Sequence, residues 1–321
     1  MNILLYGAGA VGLGLASALI YSGETVTIVA RQRAAAALRR EGLIRKGLFG
    51  CLQLLPDRFR VCESPAELGG AVYDHILVCT KAYDSAMIAR TLGETPGLAD
   101  RRTKIVLCQN GWGNAEVFSA RFDPRQVYNA RIITGFQKDA EHSVDITVHA
   151  DSVRIGSLFH TETREIEALC SSLTRGGIPS EATAAIAWDL WAKMLYNCPL
   201  NPLGAIFQVP YGHLGDSPHA RNIMDAVIRE IFAVTAKAGY QSYWDAPEEY
   251  LHVFYQQLIP KTAGHQASML QDIRGRKPTE IDSLNGAVVR LGERHGIATP
   301  ANLQICWMVR FLEGRYANRR L

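Results

Sequence analysis

The sequence predicts an α/β protein in two parts, a doubly wound parallel sheet followed by an all-α domain, and three observations carry that expectation. Short β-rich apolar runs alternate with amphipathic stretches through the first half of the chain. After Arg175-Gly176-Gly177-Ile178-Pro179-Ser180 the strand signals stop and long helical periodicity takes over. At the start, Gly7-x-Gly9-x-x-Gly12 lies between a strand and a helix. Strands alternating with helices call for right-handed βαβ crossovers and a sheet covered on both faces. The boundary is placed near Pro179, giving domains 1–179 and 180–321.

Each element follows from local pattern. Apolar, β-branched runs at 2–6, 25–29, 75–79, 104–108 and 126–130 read as strands. Helical periodicity lies between them at 11–22, 32–42, 84–93 and 113–121. The segment RKGLFGCLQLL, within 43–62, suggests a short antiparallel excursion, and 143–158 reads as later strands that finish the sheet. In the second part, helices are expected at 183–206, 217–239, 247–258, 279–295 and 301–314. IMDAVIREIFAVTAKAG shows the pattern well, with apolar residues at 223, 224, 227, 228, 231, 232 and 234 before a glycine stop.

Composition narrows the function. A 321-residue chain exceeds one typical domain, and 48% hydrophobic with 20% charged residues is ordinary for a soluble protein with a real core. The balance of 34 basic and 31 acidic residues, +3, is too small to argue for nucleic acid or a membrane surface. Seven scattered cysteines without a CxxC read as reduced thiols in a cytoplasmic protein, with no disulfide framework and no metal site. NILLYGAGAVGLGLASALI has no basic leader and is interrupted by glycines, so it reads as strand, turn and helix rather than signal peptide or membrane span. Monomer and homodimer both remain open.

The glycine turn stands where a dinucleotide fingerprint must stand. Gly7 allows the tight turn, Gly9 lets a pyrophosphate approach, and Gly12 lets helix and strand pack closely. The phosphates would then meet the helix N-terminus at Ala10 and Val11. That context makes the first domain Rossmann-type. About twenty residues on, where an acid would hold the ribose hydroxyl of NAD, the chain offers Ala30-Arg31-Gln32-Arg33. A guanidinium matches a 2′-phosphate, so Arg31 favours NADPH, with a solvated helix-start arginine as the other reading. Arg33 reads as surface. Lys81, in KAYD after HILVC, opposes a helix dipole and wants an anion or polar partner, unless it is a plain exposed lysine. Asn110, in QNG after KIVLC, is either a functional amide or half of an ordinary Asn-Gly turn.

Reducing a ketone requires hydride delivered to carbon and a proton given to oxygen. Lys193 is the candidate donor: it lies among Trp188, Leu190, Trp191, Met194 and Leu195, where burial would be costly for an ammonium without partners and would lower a lysine pKa. A lysine snorkelling from the core is the alternative. Ser268-x-x-Gln271 reads as a capping box, and Thr279-x-x-Asp282 behind Pro278 as a helix start, with Glu280 a first-turn acid.

GAGAVG, KAYD, QNG, W-x-K-x-x-x-N-x-x-x-N-P-L, S-M-x-Q-D and T-E-I-D-x-x-N-G occur in this order from Asn2 to about Gly314. Together they resemble the ketopantoate reductase family. The resemblance implies that Lys193 donates the proton to the C2 alkoxide and that Glu280 binds a substrate hydroxyl and helps position the lysine. It implies that Asn197, Asn201 and Ser268 bind substrate. Asn110 then lies between nicotinamide and lysine, Lys81 near cofactor and substrate, and Arg31 on the 2′-phosphate. The chain departs from the commoner pattern at Pro199 and in 136–151, which lacks a usual glycine-rich stretch.

The expected reaction is NADPH-dependent reduction of 2-dehydropantoate to pantoate, on the way to pantothenate and coenzyme A, with the small acid in a cleft between domains. A sister dehydrogenase for another 2-keto or hydroxy acid is the nearest alternative, and a non-catalytic NADPH sensor a more distant one. Within 191–206, Pro199 and Pro202 each remove a helix hydrogen bond, freeing the carbonyls of Leu195 and Cys198. The helix is therefore expected to break near 199 and restart with Asn201 as N-cap.

Overall fold

The computed structural model describes the backbone of residues 1–317 apart from residue 69. Two compact units emerge: Met1–Gln109 with Asn114–Ile186, and Asn110–Gly113 with Ala187 onward.

The first unit holds strands β1 (Asn2–Tyr6), β2 (Thr25–Val29), β3 (Leu43–Gly47), β4 (Leu52–Leu54), β5 (Arg60–Cys62), β6 (His75–Val78), β7 (Lys104–Leu107), β8 (Val127–Ala140), β9 (Ser143–Gly156) and β10 (Ser180–Ala182). Its helices are α1 (Ala10–Tyr21), α2 (Gln32–Glu41), α3 (Ser85–Glu94), α4 (Asn114–Ser119) and α5 (Arg164–Arg175). The sheet runs β4-β3-β9-β8-β7-β6-β1-β2-β5, with β10 paired to β9. All pairings are parallel except β3 with β4 and β8 with β9.

Side-chain alternation explains why the central strands are apolar throughout. Ile3, Leu5, Leu77 and Val106 point into the core shared with α1, α2 and α5. Leu4, Ile76, Val78, Ile105 and Leu107 point into the opposite core, against Ile88 and Leu92 of α3 and Phe118 of α4. A sheet buried on both faces needs both registers apolar, which is the doubly wound arrangement. The antiparallel excursion occurs as β3–β4. Strand β8 runs ten residues beyond the expected 130, and its long ladder with β9 is interrupted by four register shifts. Helix α5 and strand β10 were not anticipated, and β10 carries the sheet unit past Pro179.

The second unit contains α6 (Ile186–Phe207, its first residue counted with the sheet unit), α7 (Tyr211–Asp216), α8 (Pro218–Lys237), α9 (Pro247–Val253), α10 (Ile259–Lys261), α11 (Ser268–Arg274), α12 (Asn285–His295) and α13 (Pro300–Ala317). A π turn over Phe254–Leu258 joins α9 to α10. The expected start at 279 is corrected. Residues 280–284 form turns, and the helix begins at Asn285.

The largest correction concerns α6, which runs unbroken through Pro199 and Pro202. Pro202 has no N–H for the Cys198 carbonyl, but Asn285 Nδ2 donates to that oxygen at 3.1 Å. Asn285 is itself held by Asn302 Oδ1 at 3.0 Å. A tertiary donor thus supplies one bond that proline removes. Burial of Trp191, Leu195, Cys198, Leu200 and Leu203 holds the helix in place.

All seven cysteines are free, and only Cys51 is exposed. Burial pushes the thiols of Cys62 and Cys306 up to about 11. Among the described residues, no helix is long and apolar enough to cross a membrane, and no cluster of ligand-type side chains could hold a metal ion.

Candidate active site

The chain leaves β1 at the point where strand order reverses, with β2 on one side and β6 on the other. Such a switch point opens a crevice at the carboxyl ends of the strands. Gly7, at φ +113, donates its N–H to the Val29 carbonyl at 3.0 Å, and a Cβ there would lie 2.8 Å from Thr80 Cγ2. A Cβ on Gly12 would run into the Gly7 carbonyl oxygen, so α1 can lie this close to its own turn only with glycine there. Gly9 is the N-cap of α1, and a Cβ on it would meet only the Cys79 carbonyl oxygen, at 3.8 Å. Ala10 and Val11 open the helix, where amides have no intrahelical acceptor. The three glycines therefore have the distinct surroundings that a pyrophosphate cradle requires, two crowded and one open. These residues fit a dinucleotide.

Arg31 is the N-cap of α2, just past β2. Its side chain is 88% exposed and lies 3.4 Å from Asp84 Oδ2. Asp84 belongs to the KAYD loop that follows β6, and its charge, after burial, helps to raise the Tyr6 phenol pKa. In the same unit Gln109 Nε2 donates to the Lys81 carbonyl at 3.2 Å, tying the loop after β6 to the end of β7. Lys81 itself is half-buried.

The other candidates lie in the helical unit, which also claims the short loop Asn110–Gly113. Lys193 Nζ donates to Asn110 Oδ1 at 2.6 Å, and Asn110 Nδ2 donates to Glu280 Oε2 at 3.2 Å. Glu280 is only 7% exposed. Three residues that are distant in sequence thus form one relay of ammonium, amide and carboxylate. Glycine is needed directly after Asn110, since Gly111 has φ +89 and a Cβ on it would collide with the Ser283 carbonyl.

Asn197 sits half-buried one turn beyond Lys193. Asn201 is buried and capped differently from expectation. Its Oδ1 accepts from the Met269 N–H at 3.0 Å, and its Nδ2 donates to Ser268 Oγ at 3.2 Å. Helix α11 has Ala267 as N-cap, which has no side-chain acceptor. The expected capping box at Ser268 is therefore absent, because Ser268 is already the first helical residue. Asn201, a neighbour from α6, takes the capping role instead of starting a new helix. The structure groups Lys193, Asn110 and Glu280 as one set, and Asn201 with Ser268 as another.

Sequence reading missed Asn285 and Trp112. Trp112 is 5% exposed and stacks on Trp191 at 4.5 Å between centroids. Its position immediately after QNG was the available signal.

Comparison with known proteins completes this picture. Residues 3–158 match the family model described as Ketopantoate reductase PanE/ApbA, and residues 185–313 match its C-terminal counterpart. The chain belongs to the ketopantoate reductase family. A curated 2-dehydropantoate 2-reductase of Aquifex aeolicus is 35% identical over 315 residues, covering 98% of this chain and 97% of that protein. Among solved structures, a PanE/ApbA family ketopantoate reductase from Ralstonia eutropha JMP134 superposes with TM-score 0.85 at 27% identity, covering 99% of this chain and all of that one. D-mandelate dehydrogenase, solved with NADH and anilino(oxo)acetate, superposes with TM-score 0.86 at 22% identity, covering 99% of this chain and 100% of that one, and shares the fold. As a ketopantoate reductase family member the chain is an oxidoreductase with a Rossmann-type first domain.

Proposed function

We propose that this enzyme reduces 2-dehydropantoate to pantoate with NADPH, and that Lys193 supplies the proton. The carrying observation is the relay Lys193–Asn110–Glu280, with separations of 2.6 and 3.2 Å. With its pyrophosphate held at the glycine turn, the bound cofactor would supply hydride from its reduced nicotinamide to the ketone carbon. Lys193 carries the proton that the developing alkoxide oxygen needs. Asn110 Oδ1 accepts from the ammonium and Glu280 orients Asn110, so the donor is held in place before reaction. Asn197 lies on the same side of α6 and offers an amide to the carboxylate or hydroxyl of the acid. Asn201 and Ser268 supply a second polar pair, with Asn201 engaged by the α11 amide. Arg31 receives the 2′-phosphate, with Lys81 assigned to the same cofactor. One exposed and six buried free thiols suit a reducing, cytoplasmic setting.

The test is oxidation of NADPH over a panel of 2-keto acids, with NADH as comparison. Ketopantoate is expected to give the highest kcat/KM. Because the fold is shared with D-mandelate dehydrogenase, the panel includes an aryl keto acid. Preference for that compound would overturn the substrate assignment.

A further inference from the structure

Resting on the proposed reaction, we infer that Trp112 is a positioning residue: its ring, stacked on Trp191 and edge-on to Tyr240, holds the Asn110 loop against Lys193. Asn110 sits on a loop with two glycines at positive φ, Gly111 at +89 and Gly113 at +96. Such a loop is entropically expensive to order. The hydrogen bonds that join the Asn110 amide to Lys193 and Glu280 hold its side chain, but they leave the glycine-flanked backbone beyond it free to turn. Contacts made one and two residues away, by Gly111 and Trp112, fix that backbone.

The Trp112 N–H donates to the Ser283 carbonyl at 2.8 Å. The indole stacks on Trp191 at 4.5 Å and 30°, and meets Tyr240 edge-on at 4.8 Å and 69°. Gly111 brings the backbone so close to Ser283 that no Cβ would fit. Trp191, fully buried, lies two residues before Lys193 on α6, just as Trp112 lies two residues after Asn110. The ring pair and the amide–ammonium pair therefore join the same two short segments at two points. A contact at two points removes the rotation that a single hydrogen bond leaves free. In this role Trp112 acts through Asn110.

The experiment is a double-mutant cycle between Trp112 and Asn110, run on a keto acid that the wild type reduces. W112L is expected to lower kcat about tenfold, since small misplacements of a catalytic group are costly, while NADPH binding to the free enzyme is unchanged. W112F, which keeps an aromatic face, is expected to recover most of the loss. In an N110A background, W112L is expected to cost nothing more, because the residue it positions is gone. Additive losses would overturn the proposal, as would a W112L enzyme with normal kcat. Running the cycle with W112F as well keeps it decidable if W112L folds poorly. Amide hydrogen exchange over residues 108–113 of the free protein needs no substrate, and W112L should speed it while W112F should not. Unaltered exchange in W112L overturns the anchoring. A wild type inactive on every keto acid would sink the proposed reaction and leave exchange to decide the anchoring.

Discussion

The glycine turn that opens α1 and the polar relay around Lys193 are built on opposite plans. The turn is made of backbone: Gly7, Gly9 and Gly12 contribute space, and the groups at the opening of α1 are main-chain amides. Every part of it lies within six residues, save the strand ends that flank it. The relay is made of side chains, and its members are 83 and 170 residues apart along the chain. A backbone site tolerates almost nothing at its crowded positions, whereas a side-chain site fails through loss of one group or of the contacts that aim it. Substitutions in each region should therefore fail differently, and that difference can be measured.

The largest effect is expected at Lys193. Lys193→Ala should lower kcat by roughly 10²–10⁴, the usual contribution of a positioned general acid, with NADPH affinity retained in fluorescence titration. Normal turnover would remove Lys193 from the chemistry. In the turn, Gly12→Ala forces a methyl against the Gly7 carbonyl and should cost about 1–3 kcal/mol in stability. Gly9→Ala meets nothing closer than 3.8 Å and should leave the melting temperature unmoved while weakening NADPH binding about tenfold or more. If Gly9→Ala bound cofactor normally, the turn would be a packing device and the contrast between the regions would collapse.

The same contrast explains what was legible in the sequence. Central strands, the turn at Gly7–Gly12 and the long C-terminal helices follow from patterns a few residues wide. Helix α6 did not, because the donor that meets the Cys198 carbonyl is 87 residues away on Asn285. Asn201 was misread for a similar reason: the helix it caps is α11, 67 residues on, rather than its own. Even the Lys193 relay was legible only as a set of ordered motifs resembling a family, since no local pattern brings Asn110 to Lys193. Asn285→Ala tests this account. It strands a buried carbonyl and should destabilise the protein by about 1–3 kcal/mol, read as a lower denaturant midpoint with an unchanged slope. No change in midpoint would mean that packing alone carries α6 past its prolines.

The smallest expected effect sits at the edge of the backbone-built region, where Arg31 is proposed to decide between cofactors. Arg31 is 88% exposed and shares its charge with Asp84 at 3.4 Å. An exposed pair of this kind is worth about 0–1 kcal/mol, so Asp84→Asn should leave stability where it was. For binding the two carboxylate effects add: Asp84 occupies the guanidinium and its own charge opposes an incoming phosphate. Arg31→Ala should therefore reduce the preference for NADPH over NADH about tenfold at low salt, less as salt screens the contact. Asp84→Asn should raise that preference by a smaller factor. Both are read as ratios of dissociation constants, which cancels any shared change in the glycine turn. An unaltered ratio in Arg31→Ala would place 2′-phosphate recognition elsewhere, and would leave the ion pair with Asp84 as the whole role of Arg31.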